Sequence, residues 1–177
     1  MEWTTELRYK QYEDWTEEEK KQIKENMANS PWHTHYHVEP KTGLLNDPNG
    51  FSYFNGKWIL FYQNFPFGAA HGLKSWVQLE SDDLVHFKET GLKVLPDTPL
   101  DSHGAYSGSA MQFDDKLFLF YTGNVRDENW IRHPYQIGAL MDKEGKIEKI
   151  NKILIDQPAD STDHFRDQQI FNFKGQY

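Results

Sequence analysis

The chain has 177 residues, with 19 basic and 27 acidic side chains, a net charge of −8, 8 His and no Cys. That length suits one domain, or one domain with an arm, and a content of 15% aromatic and 37% hydrophobic residues excludes a largely disordered chain. The acidic balance argues against a nucleic-acid binder and against docking on an anionic membrane. The lack of Cys excludes a disulfide scaffold, a thiol nucleophile and thiolate metal sites.

Met1 to Lys10 has neither an apolar core nor a small-residue cleavage site, so no signal peptide is expected. The longest apolar run, Trp58 to Tyr62, is far too short to span a bilayer, and a cytoplasmic location is expected. Thr16-Glu17-Glu18-Glu19 reads as a capping box, a hydroxyl N-cap with Glu three residues on. It predicts a helix running to Ala28 or Asn29, stopped by Ser30-Pro31 because the residue before Pro is pushed out of the α region. Ile23 and Met27 give that helix only a thin apolar seam.

From Leu44 onward the helical period gives way to short runs of aromatic and β-branched residues broken by Gly, Asn and Asp. These runs repeat. Phe51 to Tyr62 aligns with Ala110 to Tyr121, each reading as strand, tight turn (Asn55-Gly56 or Asp114-Asp115) and strand. Ile170 to Tyr177 begins a third copy at almost the same spacing from the second. More weakly, Trp76 to Ser81 and the strand from Phe87 match Gln136 to Met141 and the strand from Ile147. Each unit is a meander of about four strands, which points to a β-propeller or solenoid. Two units and a fraction would leave open sheet edges, so the chain reads as the N-terminal part of something larger. The expected division is a helical arm over residues 1–30 and an incomplete propeller over 31–177. Within the latter, one blade covers about 44–95, a second about 104–155, and a third starts at about 165–177.

The repeat supplies a register for the polar residues. Asp47, Ser107 and Asp167 fall at nearly equivalent positions, at the start of the first strand of successive units. In a propeller the first strands line the central channel, so these positions converge at one face. Converging carboxylates in a polar, aromatic funnel suit glycoside hydrolysis. Taken alone, Asn46-Asp47-Pro48-Asn49-Gly50 is a good turn sequence, and Phe165-Arg166-Asp167 could be a surface ion pair; only the shared register favours a functional role. His33, His35 and His37 alternate, which would put them on one face of a strand, a spacing able to bind Zn. No ligand partner is placed by the sequence, and no metal is expected. Phosphate-binding Gly-rich loops and a nucleophile elbow are absent, and no cofactor is expected.

At these residues the sequence resembles glycoside hydrolase family 32, the β-fructofuranosidases. Gly43 to Gly50 is similar to the family's nucleophile motif, Trp58 to Gln63 to the strand that follows it, Tyr106 to Ala110 to its aromatic-Ser-Gly-Ser segment, and Phe165-Arg166-Asp167 to its Arg-Asp-Pro motif, with Gln168 in place of Pro. Ser30-Pro31-Trp32, Phe65 to Trp76 and Arg132 to Tyr135 resemble the bacterial sucrose-6-phosphate hydrolase branch. The resemblance implies an all-β fold: the N-terminal part of a five-bladed β-propeller, about two and a half blades of four-stranded antiparallel meanders after a short α-helix, without the family's C-terminal β-sandwich. It implies a retaining mechanism with Asp47 as nucleophile, Asp167 as transition-state stabiliser and Arg166 as orienting group. Asn46, Gln63, Trp76, Tyr106 and Ser107 would bind the sugar. The general acid/base Glu belongs to a Glu-Cys motif one blade further on, and this chain has no Cys. The chain alone is therefore expected to be inactive.

The expected partner is sucrose 6-phosphate or sucrose, with no nucleic acid and no membrane; the sequence leaves the oligomeric state open. Phosphate recognition needs cationic donors, for which Lys74, Arg132 and His133 are the candidates. Competing readings are an invertase or fructan hydrolase without phosphate preference, a non-catalytic carbohydrate-binding remnant, and a propeller scaffold for protein partners.

Overall fold

A computed structural model describes residues 2–177. The N-terminal arm carries α1 (Thr5–Arg8), a 3-10 turn (Tyr12–Asp14) and α2 (Glu17–Ala28). Thr16 caps α2 as expected: its hydroxyl accepts from Glu19 N, and the Glu19 carboxylate accepts from Thr16 N at 2.7 Å. Such a cap contributes about 1 kcal/mol.

The arm is bound to the rest of the molecule by aromatic residues that no sequence period marks. Trp15 is buried and stacks on Phe67 with ring centroids 4.4 Å apart, while Trp3 meets Phe65 edge-on. Tyr12 Oη lies 3.1 Å from the Leu73 carbonyl and 3.0 Å from Ser75 Oγ. Leu73 N donates to Arg8 O at 2.7 Å. The arm thereby fixes the segment 65–75, which leads into the candidate site.

Eight strands follow: β1 (Leu44–Phe54), β2 (Lys57–Phe65), β3 (Ser75–Ser81), β4 (Lys88–Val94), β5 (Ala105–Phe113), β6 (Lys116–Arg126), β7 (Arg132–Met141) and β8 (Ile147–Ile155). They form two antiparallel meanders, β1-β2-β3-β4 and β5-β6-β7-β8. At the first hairpin Asn55 and Gly56 both take positive φ, 51° and 80°, as a two-residue turn between twisted strands requires. The same geometry returns at Lys174-Gly175, φ 52° and 81°, where Phe173 and Gln176 exchange backbone hydrogen bonds.

Strand alternation decides which face each aromatic covers. Ile59 and Phe61 on β2 join Trp76 and Val94 in a core shared with Leu117, Leu119 and Tyr121 on β6 and Ile137, Ala139 and Met141 on β7. Leu60 and Tyr62 point the other way, into a separate cluster with Val77 and Leu79. The first core is the contact between the two sheets. Its polar floor is Asp101, fully buried, which accepts from Tyr121 Oη at 2.9 Å and pairs with Lys149. Pairing offsets each desolvated charge against the other.

His33, His35 and His37 do not lie on a strand: residues 31–43 are turns and bends. The Glu39 carboxylate organises this stretch by accepting from Thr34 N and contacting His33 Nδ1 at 2.7 Å. That pair raises the His33 pKa, and with the Thr34 N–H it lowers that of Glu39. Among the described residues no three of His, Asp and Glu are grouped to hold a metal ion.

Candidate active site

The start of β1 is bulged. Asn46 pairs with Gln63 and Pro48 with Tyr62, so Asp47 stands between them unpaired, at φ 30°. A bulge turns the extra residue's side chain out of the ladder. A left-handed backbone at a residue other than Gly is strained by roughly 1–3 kcal/mol and needs its surroundings to hold it. Here Asp47 Oδ2 accepts from Gln63 Nε2 at 2.9 Å and from Ser107 Oγ at 3.1 Å, and the Asp47 carbonyl accepts from Asn49 Nδ2 at 3.0 Å. No such bond reaches Oδ1 among the described residues, and Asp47 itself lines a cavity.

The start of β5 repeats the device at the equivalent point of the second unit. Tyr106 pairs with Thr122 and Gly108 with Tyr121, so Ser107 is the unpaired residue. Ser107 is buried, and Gln63 Nε2 donates to its hydroxyl as well as to Asp47. Gln63 and Ser107 thus tie the two sheets together while fixing one carboxylate oxygen. Gly108 follows because the strand runs against β6 there: a Cβ would overlap the Phe120 carbonyl.

Asp167 is the third member, at φ 63°. Its neighbours are held by the second sheet. Gln136 Nε2 donates to Phe165 O at 2.8 Å, Thr122 Oγ1 to Gln168 Oε1 at 2.9 Å, and Ile170 N to Ser109 Oγ at 3.0 Å. Gln168, the departure from the family's Pro, therefore supplies one of these anchors. Arg166 Nη1 lies 3.5 Å from Asp167 Oδ2. Asp47, Gly50, Ser107, Arg166 and Asp167 line a single cavity of about 700 Å³. The register read from the sequence brings both carboxylates to one place.

β1 has a second irregularity, between Asn49 and Ser52, that β5 lacks. It adds one residue to β1, so the two units fall one residue out of step between the bulge and the hairpin. Gly50 sits in it at φ 59°, with Phe61 2.8 Å from where a Cβ would be.

The five residues expected to bind sugar have different surroundings. Gln63 and Ser107 are buried beneath Asp47 and bonded to it. Asn46 flanks the bulge, and its buried Oδ1 has no hydrogen-bond partner. Tyr106 is half-buried, and burial is the main cause that pushes its phenol up to about 12. Trp76 is the correction: it is fully buried in the core between the sheets, and its indole N–H donates to the Tyr106 carbonyl at 3.0 Å. Large size and an inward strand position take it into the core, where it supports the residue before Ser107 instead of lining the cavity. Gln136, its counterpart in the second unit, does the same for Phe165.

Lys74 completes the surroundings. It immediately precedes β3, and its carbonyl accepts from Ala105 N at 2.9 Å. The side chain is buried, with Nζ 5.6 Å from the Tyr106 ring centroid. Burial pulls its pKa down to about 8, against the attraction of Asp47 and Asp167 and with the repulsion of Arg166. His71, nearby, is pushed down chiefly by the Lys74 charge. Arg132 also stands over the Tyr106 ring, at 5.8 Å, and its Nη1 is 3.8 Å from Asp163. His133, in contrast, is engaged by Asp127 at 3.1 Å.

Comparison with known proteins agrees with this geometry. Residues 37–177 match the glycosyl hydrolases family 32 N-terminal domain. A sucrose-6-phosphate hydrolase of Streptococcus mutans is 73% identical over 171 residues, covering 97% of this chain and 36% of that protein. The structure of sucrose-6-phosphate hydrolase from Lactobacillus gasseri superposes with a TM-score of 0.95 at 50% identity, covering 98% of this chain and 36% of that one. A Bombyx mori GH32 β-fructofuranosidase mutant in complex with sucrose gives a TM-score of 0.72 at 30% identity, covering 90% of this chain and 35% of that one. The chain thus spans about 36% of the length of the curated relative it matches at 73% identity. With its mostly β architecture of two four-stranded meanders, it belongs to glycoside hydrolase family 32, as part of that family's N-terminal domain.

Proposed function

We propose that this chain forms the nucleophile-bearing part of a retaining β-fructofuranosidase acting on sucrose 6-phosphate. The observation that carries the reading is the triangle of Asp47, Gln63 and Ser107. It holds one carboxylate oxygen with two donors and leaves the other unengaged, on a residue that lines the same cavity as Asp167. That is the arrangement a carboxylate nucleophile needs: fixed, but with one oxygen unengaged.

In this mechanism Asp47 Oδ1 attacks C2 of the fructosyl unit. The C2–O bond breaks, and the leaving hexose oxygen takes a proton from a general acid outside this chain. Water then attacks C2 of the fructosyl ester, giving its proton back to that same group, and Asp47 is released as carboxylate. Asp167 accepts hydrogen bonds from fructose hydroxyls, and these tighten as positive charge develops on the ring. Arg166, beside it, orients its carboxylate. Sucrose 6-phosphate as substrate is supported by the 73%-identical relative, a sucrose-6-phosphate hydrolase.

The test uses a protein of the relatives' full length that carries this chain. It should hydrolyse sucrose 6-phosphate, and Asp47→Asn should abolish turnover. The short chain by itself should show none. Turnover by the short chain that Asp47→Asn removes would contradict the assignment of the acid/base to another segment.

A further inference from the structure

Two cations near the nucleophile are poorly satisfied within the protein: Lys74 is buried, and Arg132 is half-buried. Lys74 is only 7% exposed, and among the described residues it enters no ion pair and donates no side-chain hydrogen bond. Burying a charge without a partner is destabilising by several kcal/mol in general, so a lysine kept there is not explained by stability. Arg132 is half-buried and only loosely paired. Its Nε is buried with no partner, and its one carboxylate neighbour, Asp163, is too distant at 3.8 Å for a hydrogen bond. Both cationic heads stand over the same Tyr106 ring, 5.6 and 5.8 Å from its centroid. In a chain of net charge −8, two weakly paired cations at one ring are a local concentration of positive charge.

We propose that Lys74 and Arg132 form an anion subsite over the Tyr106 ring that receives the phosphate ester on the leaving hexose of the substrate. The inference rests on the functional reading above and assigns its specificity to two residues. Arg offers a planar fork of donors and Lys a compact charge, the pair of donors that phosphate oxygens take. Tyr106 offers an apolar ring on which a sugar face can rest, and its carbonyl is fixed by Trp76. The residue next in chain to Tyr106 is Ser107, which holds Asp47, so the subsite adjoins the residues that position the nucleophile. His133 is left out because Asp127 already engages it. A dianion between Lys74 and Arg132 would remove the mismatch that each carries in the unliganded protein. It would also favour the Lys74 ammonium, whose pKa burial otherwise draws down to about 8.

The experiment measures kcat/KM for sucrose 6-phosphate and for sucrose, side by side, in the full-length protein and its variants. Lys74→Gln and Arg132→Gln should each lower the ratio of the two values by about tenfold to a hundredfold, as loss of a charge-assisted contact does. Arg132→Lys, which keeps the charge and loses the fork, should recover part of the ratio. Equal losses on both sugars would overturn the subsite and make the cations positioning groups for Asp47 and Asp167. If Lys74→Gln does not fold, product inhibition of the wild type decides. Glucose 6-phosphate should inhibit at roughly tenfold lower concentration than glucose, and equal inhibition would overturn the proposal. A wild-type protein that hydrolyses neither sugar would refute the functional reading and the subsite with it. Hydrolysis of both sugars with equal efficiency would refute the subsite alone.

Discussion

The start of β1 and the start of β5 have the same backbone and different chemistry. Each has one unpaired residue in a bulge, at equivalent points of the two units, and each is braced by side chains from its neighbours. At the first the residue is Asp47, exposed to the cavity and backbone-strained. At the second it is Ser107, buried and donating to Asp47. The bulge is therefore a means of presentation that both units share. In the proposed mechanism the side chain placed on it decides whether the position reacts or supports. Asp167, at the corresponding point of the third unit, is a second carboxylate and again has positive φ.

Substitutions can break that comparison, and the largest expected effect belongs to Asp47, the proposed nucleophile. Asp47→Asn should lower kcat by about 10⁴-fold or more, the scale of removing a nucleophile, with the thermal midpoint nearly unchanged. Ser107→Ala should lower it only about tenfold, since one of two donors to Oδ2 remains. Comparable losses in the two variants would deny the division of roles. Next comes the backbone beneath the second bulge. Gly108→Ala places a Cβ against the Phe120 carbonyl and should destabilise by about 2–4 kcal/mol, read by denaturant unfolding.

The smallest effect concerns Lys74 and has the opposite sign. Lys74→Met should stabilise the protein at neutral pH by about 1–3 kcal/mol, because it removes an unpaired buried charge. The pH dependence follows from the same cause. The folded-state pKa is about 8, below the ordinary lysine value of 10.5, so the unfolded chain binds more protons between those limits. The Lys74 contribution therefore makes stability rise with pH from about 8 to about 10.5. Asp47, Asp167, Arg166, His71 and Tyr106 face the same ammonium. Unfolding curves of wild type and Lys74→Met, subtracted from each other, isolate this contribution. A difference that does not narrow across that window would contradict it.

Much of this was legible in the sequence because it is local or periodic. The Thr16 capping box, the Asn55-Gly56 turn and the alternating aromatics of β2 and β6 each depend on residues close in the chain. The repeat register was enough to bring Asp47, Ser107 and Asp167 together, although the extra residue at Gly50 puts the first two units one position out of step. Non-local features were not legible. Trp76 reads as a ligand-facing aromatic until the second sheet is placed against it. Trp3 and Trp15 follow no period, yet they bind the arm to the segment that carries Lys74. The His33, His35, His37 alternation suggests a strand, but Glu39 folds that stretch into turns. Trp76 and Gln136 hold equivalent places in their units, and that equivalence was the one sequence signal of their shared bracing role.

The central claim is that Asp47 is a nucleophile, and the stereochemistry of the first product tests it directly. Carbon-13 NMR at C2 of fructose, during the first turnovers of the full-length protein on sucrose 6-phosphate, distinguishes the anomers before they equilibrate. β-Fructofuranose appearing first is the expected result, since two displacements at C2 retain configuration. The α-anomer appearing first would mean a single displacement by water, and Asp47 could not then form the covalent intermediate.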